Sequence, residues 1–202
     1  MPKKTTILII ILALITGVLI FLAVRSDQTQ KFVNDALNPS PTESVTTPYA
    51  QLSFIKPQLN VSNATNPVSV DIVIDTTDKP TSGAQIELSY DPSVLTNMKV
   101  TPPSTSFFGQ KSTVLINKVD QTQGRISYAV GISPSDGEKF GKGLLATLTF
   151  TVNPNSGQQS TQISFLEKSM VTSLQTPDSV LKSMSPLKIV LTPEDPATSV
   201  GN

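Results

Sequence analysis

The chain has no histidine, no cysteine and no tryptophan among its 202 residues. The commonest general base, the thiolate nucleophile and the usual zinc ligands are therefore missing together. A Ser-His-Asp triad, a thiol protease and a zinc finger are excluded. A chain without thiols is also indifferent to the redox compartment it occupies. With no tryptophan and only three tyrosines, it has little from which to build the exposed aromatic platform on which sugar-binding faces stack a pyranose. Neither sign of charge is in excess. Fifteen Lys and Arg stand against fifteen Asp and Glu, whereas nucleic-acid binders carry a basic surplus. These absences favour binding over chemistry, and they point to no catalytic residue, cofactor or metal.

Charge is missing locally as well. Ile7–Val24 contains no charged residue, and Thr5–Val24 makes about 30 Å of helix, the thickness of a bilayer's hydrocarbon core. Lys3 and Lys4 precede the run, which places the N-terminus in the cytoplasm and the rest of the chain outside. A cleaved signal peptide is the competing reading. Its apolar region would be about 7–15 residues and end in small residues, whereas this run is longer and ends Ala23-Val24-Arg25. The expectation is a single-pass membrane protein, anchored by residues 1–25 through a span at residues 5–24, with an extracellular C-terminal domain.

Residues 26–49 are polar, with Pro39, Pro41 and Pro48 among Ser and Thr, and read as a stalk. Within them Lys31–Leu37 has the pattern of a helical turn or two. Residues 193–202 read as a disordered tail. Residues 50–192 between them are the size of one domain, and their signal has period two. Val68, Val70, Ile72 and Ile74 alternate with Ser69, Asp71, Val73 and Asp75. Ala84, Ile86, Leu88 and Tyr90 alternate with Gln85, Glu87 and Ser89. Ile126–Ile132 and Ala146–Val152 alternate in the same way, and Leu52–Ile55, Val114–Val119, Ile163–Leu166 and Leu187–Leu191 are apolar enough for strands. Asp78-Lys79-Pro80, Asp91-Pro92, Pro102-Pro103, Gln123-Gly124, Ser135-Asp136-Gly137 and Asn155-Ser156-Gly157 punctuate the runs. About nine strands, each apolar on one face and with no amphipathic helix to cover them, must pack against each other as a two-sheet antiparallel sandwich.

Two blocks carry a resemblance. Gly83–Leu95 (GAQIELSYDPSVL), followed by Val100-Thr101-Pro102, is similar to the strand and turn of cohesin domains. Gly124–Ala129 with Gly143–Val152 (GLLATLTFTV) resembles their later strand pair, and the similarity extends loosely over residues 50–192. The resemblance implies an all-β jelly-roll sandwich of nine strands, related in fold to certain cellulose-binding modules. It also implies a partner. Cohesins hold dockerin modules, which carry calcium loops and are attached to polysaccharide-degrading enzymes. The face implied is the outer side of the strand bearing Gln85, Glu87 and Ser89, with Ser127 and Ala129 on its neighbour.

The remaining candidates each have a bland reading. Asp75-Thr76-Thr77-Asp78 offers oxygen ligands for calcium or simply a polar turn, and the turn is favoured because the spacing of a calcium-binding loop is absent. Ser135–Lys139 bears two carboxylates, but adjacent acids on one loop do not span a glycosidase cleft. Phe107-Phe108 is either a core plug or a sugar platform, with the plug favoured. Asn60-Val61-Ser62 and Asn63-Ala64-Thr65 are glycosylation triplets or turns, with turns favoured. Two functions stay open: a receptor for a dockerin-like protein, or a carbohydrate-binding module for polysaccharide.

Overall fold

The computed structural model describes residues 47–62 and 66–192. The expected membrane span, most of the stalk, the Asn63 triplet and the C-terminal tail lie outside the described residues. Among the described residues no helix is long and apolar enough to cross a membrane.

Among the described residues twelve strands form two sheets facing one another. The first sheet has the order β11 (Leu181–Met184), β1 (Ala50–Phe54), β3 (Val68–Asp75), β8 (Lys142–Val152), β5 (Leu95–Thr101). The second has the order β2 (Gln58–Ser62), β12 (Leu187–Thr192), β9 (Ser160–Phe165), β4 (Gly83–Ser89), β7 (Arg125–Gly131), β6 (Thr113–Asp120), with the short β10 (Met170–Thr172) also paired to β4. All eight sequence-derived runs are strands. The expected count was low by three, and the expectation of wholly antiparallel pairing is corrected at two places. β1 runs parallel to β11, and β2 runs parallel to β12. The Asn60 triplet, read as a turn, instead lies in β2 and pairs with Val190.

Period-two alternation builds the core. Ile72, Ile74, Leu148 and Phe150 from one sheet meet Ile86, Leu88, Ile126 and Ile189 from the other, all essentially without solvent contact. The pairing Ile86 to Tyr128 and Leu88 to Ile126 fixes which side of β4 and β7 faces inward. Val73, expected to point outward, is nevertheless buried, where the register of β3 against β8 slips and sets Leu144 opposite it. Phe108 is buried, and Phe107 stands edge-on to it at 5.0 Å while packing against the core. The pair is a plug.

Where the sandwich opens, between edge strands β5 and β6, side-chain amides close it. Gln121 accepts from the Met98 amide at 3.3 Å and donates to the Met98 carbonyl at 2.7 Å, and Asn117 donates to the Val100 carbonyl at 3.1 Å. The turn after β4 is held by Asp91. Its carboxylate accepts from the Ser93 hydroxyl at 2.6 Å and the Ser93 amide at 2.9 Å, and these bonds hold it below the usual carboxylate range. The Tyr90 amide donates to the Gly124 carbonyl at 2.9 Å, so this turn and the β6–β7 turn lock together.

Gly124 sits at φ +62°, where a methyl group would strike the Tyr90 carbonyl and come within 2.8 Å of Pro92 Cδ. Gly124→Ala combines positive-φ strain with a backbone clash and should destabilise the domain by more than about 2 kcal/mol. Denaturant unfolding of the variant against the parent checks this.

Candidate partner-binding face

The five residues singled out from the sequence share the outer face of the second sheet. Gln85 lies opposite Ala129, Glu87 opposite Ser127, and Ser89 opposite Arg125. Three of them form one network. The Glu87 carboxylate accepts from Gln85 Nε2 at 2.9 Å through one oxygen and from Ser127 Oγ at 2.6 Å through the other. Both oxygens are engaged, so the Glu87 side chain is held in one position against β4 and β7. Ser89 stands farther along β4, where its partners are Arg125 and Ser164. Ala129 is on the outer side but only 6% exposed, a methyl group set between Gln85 and Ile116 on the neighbouring strands.

β4 is held straight along this face by an unusual partner. Between β9 and β10 the chain turns away, and the buried Ser169 hydroxyl takes the place of a strand, accepting from the Glu87 amide at 3.0 Å and donating to the Glu87 carbonyl at 3.2 Å. Beyond it β10 resumes, with Met170 opposite Gln85 and Thr172 opposite Gly83.

The apolar content of the face comes from residues that alternation alone did not assign. The register of β6 on β7 shifts between Val114 and Ile116. A bulge sets two residues against one, and here Ile116 pairs with Ala129 while Leu115 reaches over Gly131. Leu115 is 69% exposed and Leu174, past β10, is 54% exposed. Gly83, Gln85, Leu115, Ala129, Met170 and Leu174 line a shallow hollow of about 260 Å³. The three consecutive apolar residues Val114-Leu115-Ile116 were the available signal, because an unbroken apolar run on an edge strand conflicts with strict alternation.

The opposite outer face differs in kind. On the first sheet, Thr147 Oγ1 donates to Asp71 at 2.6 Å, Ser69 and Thr149 hydroxyls meet at 3.0 Å, and those of Thr96 and Thr151 at 2.9 Å. That face is a ladder of mutually satisfied polar groups.

The other candidate groups are occupied structurally. Asp75 accepts from the Thr77 amide at 2.9 Å, and the buried Thr76 hydroxyl exchanges hydrogen bonds with Gly141. Asp136 pairs with Lys111 at 2.9 Å, while Glu138 accepts from the Ser173 hydroxyl at 2.8 Å and the Leu174 amide at 2.7 Å. Among the described residues no three acidic side chains stand close enough to share a metal ion.

The family model of the cohesin domain matches residues 57–186, more than half of the chain. A type I cohesin from Clostridium thermocellum, solved in complex with a dockerin, superposes with a TM-score of 0.59 at 17% identity, covering 75% of this chain and 99% of that one. A cohesin from Clostridium acetobutylicum gives 0.54 at 21% identity, with 74% and 94% covered. A non-cellulosomal cohesin from Archaeoglobus fulgidus gives 0.53 at 13% identity, with 71% and 91% covered. At these identities the likeness is one of fold. No curated protein matches the sequence.

Ser127→Ala removes a donor to an engaged carboxylate and should cost about 1 kcal/mol. Leu115→Ser, at a largely exposed position, should change stability by less than about 0.5 kcal/mol. Chemical denaturation of the two variants side by side is the check, and it separates what holds this face together from what the face displays.

Proposed function

The chain belongs to the cohesin domain family, and on that premise we propose that it is a membrane-tethered receptor that captures a dockerin-type protein module on the outer face of β6, β7, β4 and β10. The observation that carries the reading is the chemical asymmetry between the two outer faces. One is a ladder of hydroxyls and the Asp71 carboxylate paired across strands, whereas the other exposes Leu115, Ile116 and Leu174 beside small residues and a carboxylate held by Gln85 and Ser127. Interface centres are depleted in free charge and hold their energy in a few well-packed residues. Ala129, Gly83 and Gly131 keep one end of the face low, which suits the close approach of a partner helix. Solved relatives in complexes with dockerins support the class of partner.

In this reading the chain acts by binding and performs no chemistry. The captured module, attached to a polysaccharide-degrading enzyme, would hold that activity at the cell surface. Tethering is supported by the charge-free Ile7–Val24 run behind Lys3 and Lys4.

The binding test is a surface-plasmon-resonance panel of calcium-loaded dockerin modules over the immobilised chain. Leu115→Asp and Ala129→Arg should each weaken capture at least about 100-fold, roughly 2.7 kcal/mol, with the melting midpoint held. Each sets a charge or bulk against the partner at the centre of the face. Unchanged binding by both variants would show that the face is wrong, and no binding by the parent across the panel would remove the dockerin reading.

Tethering is tested separately. Protease added to intact cells should release a fragment lacking the N-terminus. A mature chain whose sequence starts near residue 25 would instead establish a cleaved signal and a secreted protein.

A further inference from the structure

Leu174 lines the hollow on the partner-binding face together with Leu115, Gly83 and Ala129, yet it belongs to no strand. It stands with Gln175 at the tip of a tight turn closed by the bridge between Ser173 and Thr176. At 54% exposure it contributes little to the core. The Gln175 amide donates to Ser173 Oγ and the Asp178 amide to Thr176 Oγ1, both at 3.2 Å. These bonds are internal to the loop and do not set the direction in which the leucine points.

That direction is set from outside, by Glu138 in the loop between β7 and β8. One oxygen of its carboxylate, Oε1, accepts from the Ser173 hydroxyl at 2.8 Å and from the Leu174 amide at 2.7 Å. Bonds to an ionised acceptor are short and strong. The backbone beside Glu138 is itself pinned. The Lys139 amide donates to the Thr81 carbonyl at 2.8 Å, and the Thr81 amide and hydroxyl donate to the Lys139 carbonyl at 2.7 and 3.0 Å. Thr81 is wholly buried and runs into β4 through Ser82, whose amide donates to the Thr172 carbonyl at 2.8 Å. The start of β4 therefore grips both the loop that carries Glu138 and the strand that leads to Leu174.

We propose that Glu138 is a positioning residue for partner capture, holding Leu174 as a wall of the hollow so that an apolar side chain of the partner finds the hollow already formed. This rests on the reading of the face as a receptor and adds a residue that acts through Leu174. A turn held in place before binding has less freedom left to lose on contact, which is how preorganisation raises affinity. A brace that served stability alone would move the melting midpoint and leave capture untouched.

The test uses the full chain as Glu138→Ala, Glu138→Gln, Leu174→Ala and the double variant Glu138→Ala with Leu174→Ala. The probe is the calcium-loaded dockerin module that the parent captures most strongly in surface plasmon resonance. Leu174→Ala should weaken capture about tenfold. Glu138→Ala should weaken it about fivefold, as expected for a turn in the competent position about a fifth of the time. Glu138→Gln keeps a carbonyl oxygen able to accept both bonds and should stay within about twofold of the parent. The double variant should bind as Leu174→Ala alone does, because Glu138 then has nothing left to position. Without any partner, hydrogen exchange at the Leu174 amide should speed at least about tenfold in Glu138→Ala and stay near the parent in Glu138→Gln. The proposal is overturned if Glu138→Ala captures as the parent does, whatever its melting midpoint. It is equally overturned if Glu138→Gln loses as much as Glu138→Ala, or if the two single losses multiply in the double variant. A parent that captures no module removes the receptor reading and this proposal with it, and faster exchange at Leu174 would then mark a bracing contact alone.

Discussion

Without an α-helix among the described residues, each sheet can bury its apolar side only against the other, and the rest of the structure follows from that contact. It commits one side of every central strand to the interior and leaves the other side to water. It also leaves an opening wherever edge strands of the two sheets run near each other without pairing. Between β5 and β6 the exposed backbone groups of Met98 and Val100 are met by Gln121 and Asn117. Two side-chain amides thus do locally what another strand would do, and unpaired backbone polar groups are avoided. Phe107 and Phe108 plug the end of the sandwich where Gly143 on β8 leaves room for a ring.

The two outer faces have become chemically distinct because they answer different requirements. Threonine and serine on β3, β5 and β8 bond to one another and to Asp71 across strands, which leaves few polar groups of that face unpaired. On the other sheet the Glu87 carboxylate is bonded at both oxygens, with Lys118 opposite Ser127 on one side and the small and apolar residues Gly83, Leu115, Ala129 and Leu174 towards the other. Leaving Leu115 largely in solvent has no structural return. Its exposure accords with the proposed interface, and a β-bulge that places two apolar residues on one side is the means by which an edge strand displays them.

Sequence alternation was a sound guide where strands pair regularly. β4, β7 and the second half of β8 have their inward residues where period two put them, with Ile86, Leu88, Ile126 and Leu148 all buried. It failed where the backbone departs from the regular pleat. In β5, Asn97 takes a positive φ and the register slips, so the buried residues are Leu95, Met98 and Val100, a spacing that no period-two template finds. β10 and β11 are too short to show a period, and β2 is recognisable only by its parallel pairing with the distant β12. Of the proposed face, Gln85, Glu87, Ser89, Ser127 and Ala129 could be read from parity. Leu115, Met170 and Leu174 could not, because a bulge, a three-residue strand and a loop brought them there.

β7 shows how closely these roles are tied. Its seven residues present Ile126, Tyr128 and Val130 to the interior and Ser127 and Ala129 to the face, and its register on β4 is unbroken over all seven. A slip of one residue would expose Tyr128 and bury Ser127 against Ile86, exchanging every inward side chain for an outward one. Such a slip is prevented at both ends of the hairpin that β7 forms with β6. At one end Gly124 is locked against Tyr90; at the other a Cβ on Gly83 would stand 3.3 Å from the Val130 carbonyl and one on Gly131 3.3 Å from the Ser82 carbonyl, both tighter than ordinary contact. The same two contacts that secure the core therefore also decide which residues reach the outer face and which stay between the sheets. Stability and surface chemistry are set by a single register.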